Sequence, residues 1–124
     1  MGGDNVSIGR ITDAAPDGVY RILVDRLWPR GVRKVDPPWD LWLPAVAPST
    51  FLRRWYHAHG EEWDTFQARY RGELQSPEWQ EPLGQLLNAV EGRPVILLTF
   101  ARKVAESHVP VLRTWLQEQR LHSG

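Results

Sequence analysis

Fifteen lysines and arginines balance fifteen aspartates and glutamates over 124 residues, so the chain carries no global field that would steer it onto nucleic acid. It has no cysteine, which rules out disulfides, thiolate nucleophiles and cysteine metal sites, and its length suits one domain, residues 1–124, with a single core. The longest apolar run, Val95 to Ala101, is far short of the ~20 residues that span a bilayer. No segment joins a basic start to an apolar signal core, so a soluble cytoplasmic protein is expected.

Val6 to Thr12 alternates apolar and polar residues, the period of a half-buried strand. The run DAAPDG at 13–18 is turn chemistry, and Val19 to Asp25 reads as a second strand, joined to the first by a hairpin or by a wider connection. A loop then runs to Pro37-Pro38, a pair that holds the backbone extended. In WDLWLPAV, 39–46, the spacing of Trp39, Trp42 and Leu43 predicts a short helical turn interrupted at Pro44. Pro48-Ser49-Thr50 predicts a helix start capped by Ser49 or Thr50.

Trp63, Phe66, Tyr70 and Leu74 fall on one face of a helix. Ser76-Pro77 opens another, which Pro82 is expected to break or offset before Leu83, Leu86, Leu87 and Val90, with Gly92 ending it. The unbroken apolar run from Val95 to Phe100 predicts a strand buried on both faces at the sheet centre. A last helix carries Leu112, Trp115 and Leu116, with Ser107 as its cap and Pro110 in its first turn. The fold class is therefore α/β: a mixed sheet of about three to four strands with helices packed on it, and strands 19–25 and 95–100 parallel.

Charge is unevenly distributed. Residues 21–34, RILVDRLWPRGVRK, hold five basic side chains and one acid, whereas residues 61–91 hold seven acids and two arginines. The first stretch is an apolar strand with a cationic tip, stiffened by Pro29 and hinged at Gly31. If strands 19–25 and 95–100 are parallel, their carboxyl ends share one edge, where ligands of open α/β sheets bind. Arg26 and Arg102 would then approach one another, beside His108 and the start of the last helix.

The strings VDRLWPRGV, APSTFLRRWY and WDTFQARYRGEL resemble the YeaO-like family, domain of unknown function 488, over about Arg10 to Leu121. The resemblance matches Asp25, Arg26, Trp28, Pro29, Arg30 and Gly31 to the family's first motif and Pro48, Ser49, Leu52, Arg53 and Trp55 to its second. It implies no established activity. Two departures stand out: after the buried strand, Arg102 matches but Lys103 and Ser107 replace an acid and an asparagine, and Ala58 stands where a histidine is usual, between His57 and His59.

Arg26 and Arg30 are candidates to grip a phosphate or carboxylate, the alternative being pairing with Asp25, Asp36 or Asp40. Trp28 offers either a stacking face or loop packing, and Asp25 either orients Arg26 or acts as a base. His57 and His59 would diverge by about 200° on a helix and lack a third ligand, so no metal is expected, and no motif calls for a cofactor. Three readings remain. The first is a binding site for a small anionic, phosphate- or nucleotide-like ligand built from Asp25, Arg26, Trp28, Arg30, Arg102 and His108, catalytic or sensory. The others are a nucleic-acid module using the basic 26–34 loop, and a structural or interaction protein without a ligand. Zero net charge and a single basic cluster favour the first, with no membrane partner and the oligomeric state open.

Overall fold

In the computed structural model, which describes residues 5–123, four strands form one parallel sheet in the order β1-β4-β2-β3. The strands are β1 (Val6–Arg10), β2 (Tyr20–Leu23), β3 (Leu41–Trp42) and β4 (Val95–Thr99). Four α-helices accompany them: α1 (Thr50–Ala58), α2 (Trp63–Leu74), α3 (Pro77–Val90) and α4 (Val109–Ser123). The α/β class is as expected, and so is the parallel pairing of β2 with β4, in which Ile22 lies opposite Leu97.

β4 is buried along its whole length because it is flanked on both sides, by β1 and by β2. Its alternate residues serve two different cores. Val95 and Leu97, with Val6, Ile22 and Val24, face the cluster formed with the helices, whereas Ile96 and Leu98 join Ile11, Leu23 and Trp39 on the other side. That second face is covered largely by indoles: Trp28 meets Trp39 edge-on at 4.8 Å and Trp42 edge-on at 5.3 Å. The loop tryptophans thus do for one face what the helices do for the other.

Several expectations are corrected. The sheet is parallel throughout and not mixed, and β1 and β2 form no hairpin, because β4 lies between them. Segment 39–46 is not simply a helical turn: Leu41–Trp42 is an edge strand on β2, and only Pro44–Val46 forms a 3-10 turn. A parallel edge position needs only two residues of pairing, too short a run to leave a period in the sequence. Finally, Pro82 does not break α3. It deprives one carbonyl, that of Glu78, of its helical partner, and Glu78 is exposed, so water can satisfy the lone pair.

The face of α2 read from the sequence is the one that packs: Phe66, Tyr70 and Leu74 are buried and Trp63 packs against them. Tyr56 stacks on Phe66 at 4.1 Å, carrying α1 onto α2. Tyr70 is fully buried, and its hydroxyl donates to the Val46 carbonyl at 2.6 Å. Burial first, and then the Glu73 charge, pushes that phenol well above its ordinary pKa, so it remains a donor. Phe66→Ala should cost about 3–5 kcal/mol in urea unfolding, the usual range for truncating a buried aromatic. A loss near zero would mean that this stripe does not face the core.

Candidate functional site

The carboxyl ends of β2 and β4 are joined by one carboxylate. Asp25, two residues past β2, accepts the Phe100 N–H on Oδ2 at 2.8 Å, and its own backbone carbonyl accepts the Trp42 indole N–H at 2.7 Å. His108, just before α4, donates from Nε2 to the Val24 carbonyl at 2.9 Å, with Asp25 Oδ1 at 3.4 Å. Because a carbonyl can only accept, this bond fixes the Nε2–H tautomer of a neutral ring. Burial holds the His108 pKa below its ordinary value, against the opposing pull of Asp25 and the Val24 bond.

Around this junction opens a cavity of about 920 Å³, a size that accommodates a small molecule. The loop after β2 contributes Arg26, Leu27, Trp28, Pro29 and Arg30. Pro29 to Val32 make a turn in which the Val32 N–H meets the Pro29 carbonyl at 3.3 Å and Gly31 takes φ +85°, the left-handed conformation that the third residue of a type II turn requires. Arg30 occupies the second position of that turn, exposed, on the cavity wall. The segment after β4 contributes Phe100, Ala101, Lys103, Glu106 and Ser107, and α1 contributes Arg53, Tyr56 and His57.

Not every arginine here is available to a ligand. Arg26 spends its guanidinium on the chain itself, donating from Nε to the Pro48 carbonyl and from Nη2 to the Ala47 carbonyl, both at 2.9 Å. It fixes the entry to α1, where Ser49 caps the helix by accepting the Leu52 N–H at 3.1 Å and Glu73 accepts the Ser49 N–H at 2.9 Å. Trp28 is likewise anchored, its indole N–H donating to the Val32 carbonyl at 2.8 Å, with Lys34 over its ring. Arg30, Arg53 and Lys103 line the cavity and form no ion pair with an acid among the described residues. The Nε of Arg53 is buried without a hydrogen-bond partner.

Of the six site residues proposed from the sequence, Asp25, Arg26, Trp28, Arg30 and His108 line this cavity together. Arg102 does not: it is exposed and absent from the wall to which Phe100, Ala101 and Lys103 belong. The residues that sequence chemistry had not singled out are Arg53, Lys103 and Tyr56. Arg53 had surfaced only as part of a family motif and Lys103 only as a departure from one. His57 reaches the cavity rim, whereas His59 stacks on Trp55 at 4.6 Å and bonds the Trp55 carbonyl through Nδ1, so the two histidines do not converge. Ser107 accepts the Val109 N–H at 3.2 Å, but the cap position itself is one residue later, at His108, whose carbonyl takes the first helical bond from Leu112 at 3.1 Å.

Residues 5–123 match a family model described as the inactive DUF488-N3 subclade. The chain belongs to the DUF488 family. It is 38% identical over 115 residues to the uncharacterised protein YeaO of Escherichia coli, covering 91% of this chain and 97% of YeaO. To the uncharacterised proteins Rv3073c of Mycobacterium tuberculosis and Mb3100c of Mycobacterium bovis it is 42% identical over 109 residues, covering 86% of this chain and 89% of each relative. No solved structure is significantly similar. Among the described residues of this DUF488 chain, no helix is long and apolar enough to cross a membrane, and no histidines and acids cluster as a metal site would require.

The neutral His108 has a consequence for stability. Its folded pKa lies below the unfolded value of about 6.5, so between the two the unfolded chain binds more protons and stability falls as the pH drops through that window. His108→Gln, which can keep an N–H on the Val24 carbonyl, should lose less stability than the wild type between about pH 7.5 and about pH 5.5, by urea midpoint. An equal loss in both would mean that His108 titrates in the folded protein as it does in the unfolded chain.

Proposed function

We propose that the cavity at the carboxyl edge of the sheet binds a small anionic ligand, phosphate- or nucleotide-like, and that binding rather than catalysis is its function. The observation that carries this is the set of Arg30, Arg53 and Lys103, three cations in one concave wall with no ion pair to an acid among the described residues. Two acids, Asp25 and Glu106, line the cavity against four lysine and arginine side chains, Arg26, Arg30, Arg53 and Lys103, so positive charge prevails in its wall. Guanidinium groups suit this role because they stay charged and donate paired hydrogen bonds to planar or tetrahedral oxyanions. The family description as an inactive subclade agrees with a site that retains a ligand without transforming it.

A ligand that binds only the folded state stabilises it by RT ln(1 + [L]/Kd), about 2.7 kcal/mol at a hundredfold excess over Kd. Inorganic phosphate should therefore raise the melting temperature more than chloride of equal ionic strength, a control needed because phosphate also stabilises proteins by exclusion from their surfaces. Arg30→Ala and Arg53→Ala should each remove most of that excess, and Arg33→Ala should not. Arg26→Ala is expected to lower the melting temperature without any ligand, because it strips two backbone carbonyls of their donor. If all variants respond to phosphate as the wild type does, the cavity is not an anion site.

A further inference from the structure

Among the described residues four large apolar side chains stand exposed, and two of them, Leu27 (58% exposed) and Phe100 (45% exposed), line this same cavity. Neither is exposed because its backbone is loose. Phe100 has its own N–H held by Asp25 Oδ2 at 2.8 Å, and the next N–H, that of Ala101, is held by the buried Thr99 hydroxyl at 3.1 Å. Leu27 sits between two anchored neighbours, Arg26 on the Ala47 and Pro48 carbonyls and Trp28 on the Val32 carbonyl. A half-buried carboxylate and an arginine fork thus hold apolar side chains where they do not enter the core. An exposed apolar group held in place beside a cationic wall gains its burial when something covers it.

The rest of the lining says what kind of group that is. Tyr56, half-buried, belongs to the same cavity wall, with one face stacked on the buried Phe66 at an interplanar angle of 12°. A flat ring can lie against Phe100 and Tyr56 in offset stacking, which adds to simple area burial, whereas an alkyl chain gains only the area. We infer that the ligand of this cavity carries a planar apolar ring beside its anionic group, the ring covering Phe100 and Leu27 while Arg30, Arg53 and Lys103 take the anion. The inference rests on the anion-binding reading and narrows it from phosphate- or nucleotide-like anions in general to those that carry a ring against the anion.

Three phosphate monoesters separate the possibilities, because methyl, hexyl and phenyl phosphate share the anion and differ only in what it carries. Titrated calorimetrically into the full chain, phenyl phosphate should bind about tenfold tighter than methyl phosphate, corresponding to on the order of 50 Å² of apolar surface removed from water. Hexyl phosphate should fall between the two. Phe100→Ala should collapse the phenyl-to-methyl ratio towards one, while Phe51→Ala, at an exposed apolar residue outside the cavity, should leave it intact. Equal binding of all three esters, or hexyl matching phenyl, overturns the ring while phosphate stabilisation keeps the anion site. If inorganic phosphate and every ester are without effect, the anion-binding reading fails and this inference with it.

Discussion

The central position of β4 is the constraint on which the rest of this protein depends. A strand paired on both sides and buried on both faces is apolar along its length and carries a polar side chain, Thr99, only at its end, so chemistry is pushed there. At the carboxyl end the chain leaves the sheet at Phe100, and there β2 also ends, because the two strands run parallel. Asp25 closes the gap between them by accepting the Phe100 N–H. The cavity exists because two loops that leave the sheet together are pinned together and then diverge around α1 and the start of α4.

Much of what pins those loops is indole. Trp28, Trp42, Trp63 and Trp79 donate their ring N–H groups to the carbonyls of Val32, Asp25, Ser107 and Ala47. Each spans the distance from a packed surface to a loop carbonyl with a rigid ring, satisfying an irregular backbone that no ladder reaches. This accounts for four of the seven tryptophans in 124 residues without assigning any of them to a ligand first. It also explains how a protein with an edge strand of only two residues keeps its long β2–β3 loop in place: the loop's own side chains, Trp28 and Trp39, cover the second face of the sheet.

The division of labour among the arginines follows from the same economy of backbone satisfaction. Arg26 lies close to the carbonyls before α1 and is consumed by them, becoming part of the scaffold. Arg30, displaced to the tip of a turn, forms no ion pair with an acid among the described residues and lines the cavity. Two arginines four positions apart in one loop thus meet different surroundings, and the positions of the neighbouring carbonyls distinguish them.

The α/β class, the buried central strand, the parallel pairing of β2 with β4, the packed face of α2, the Ser49 cap and the uneven charge of the loop were all legible in the sequence. Periodicity, capping chemistry and unbroken apolar runs are local properties, written within a few residues of where they act. The order β1-β4-β2-β3, the loss of Arg102 from the cavity wall, the recruitment of Arg53 and Lys103 and the consumption of Arg26 were decided only by the tertiary structure. Each depends on what lies across space from a residue: which strand slips between two others, which residue past a strand end joins the wall, which carbonyl waits for a guanidinium. An isolated stretch of sequence carries the donor, but its acceptor is more than twenty residues away and is brought to it only by the fold.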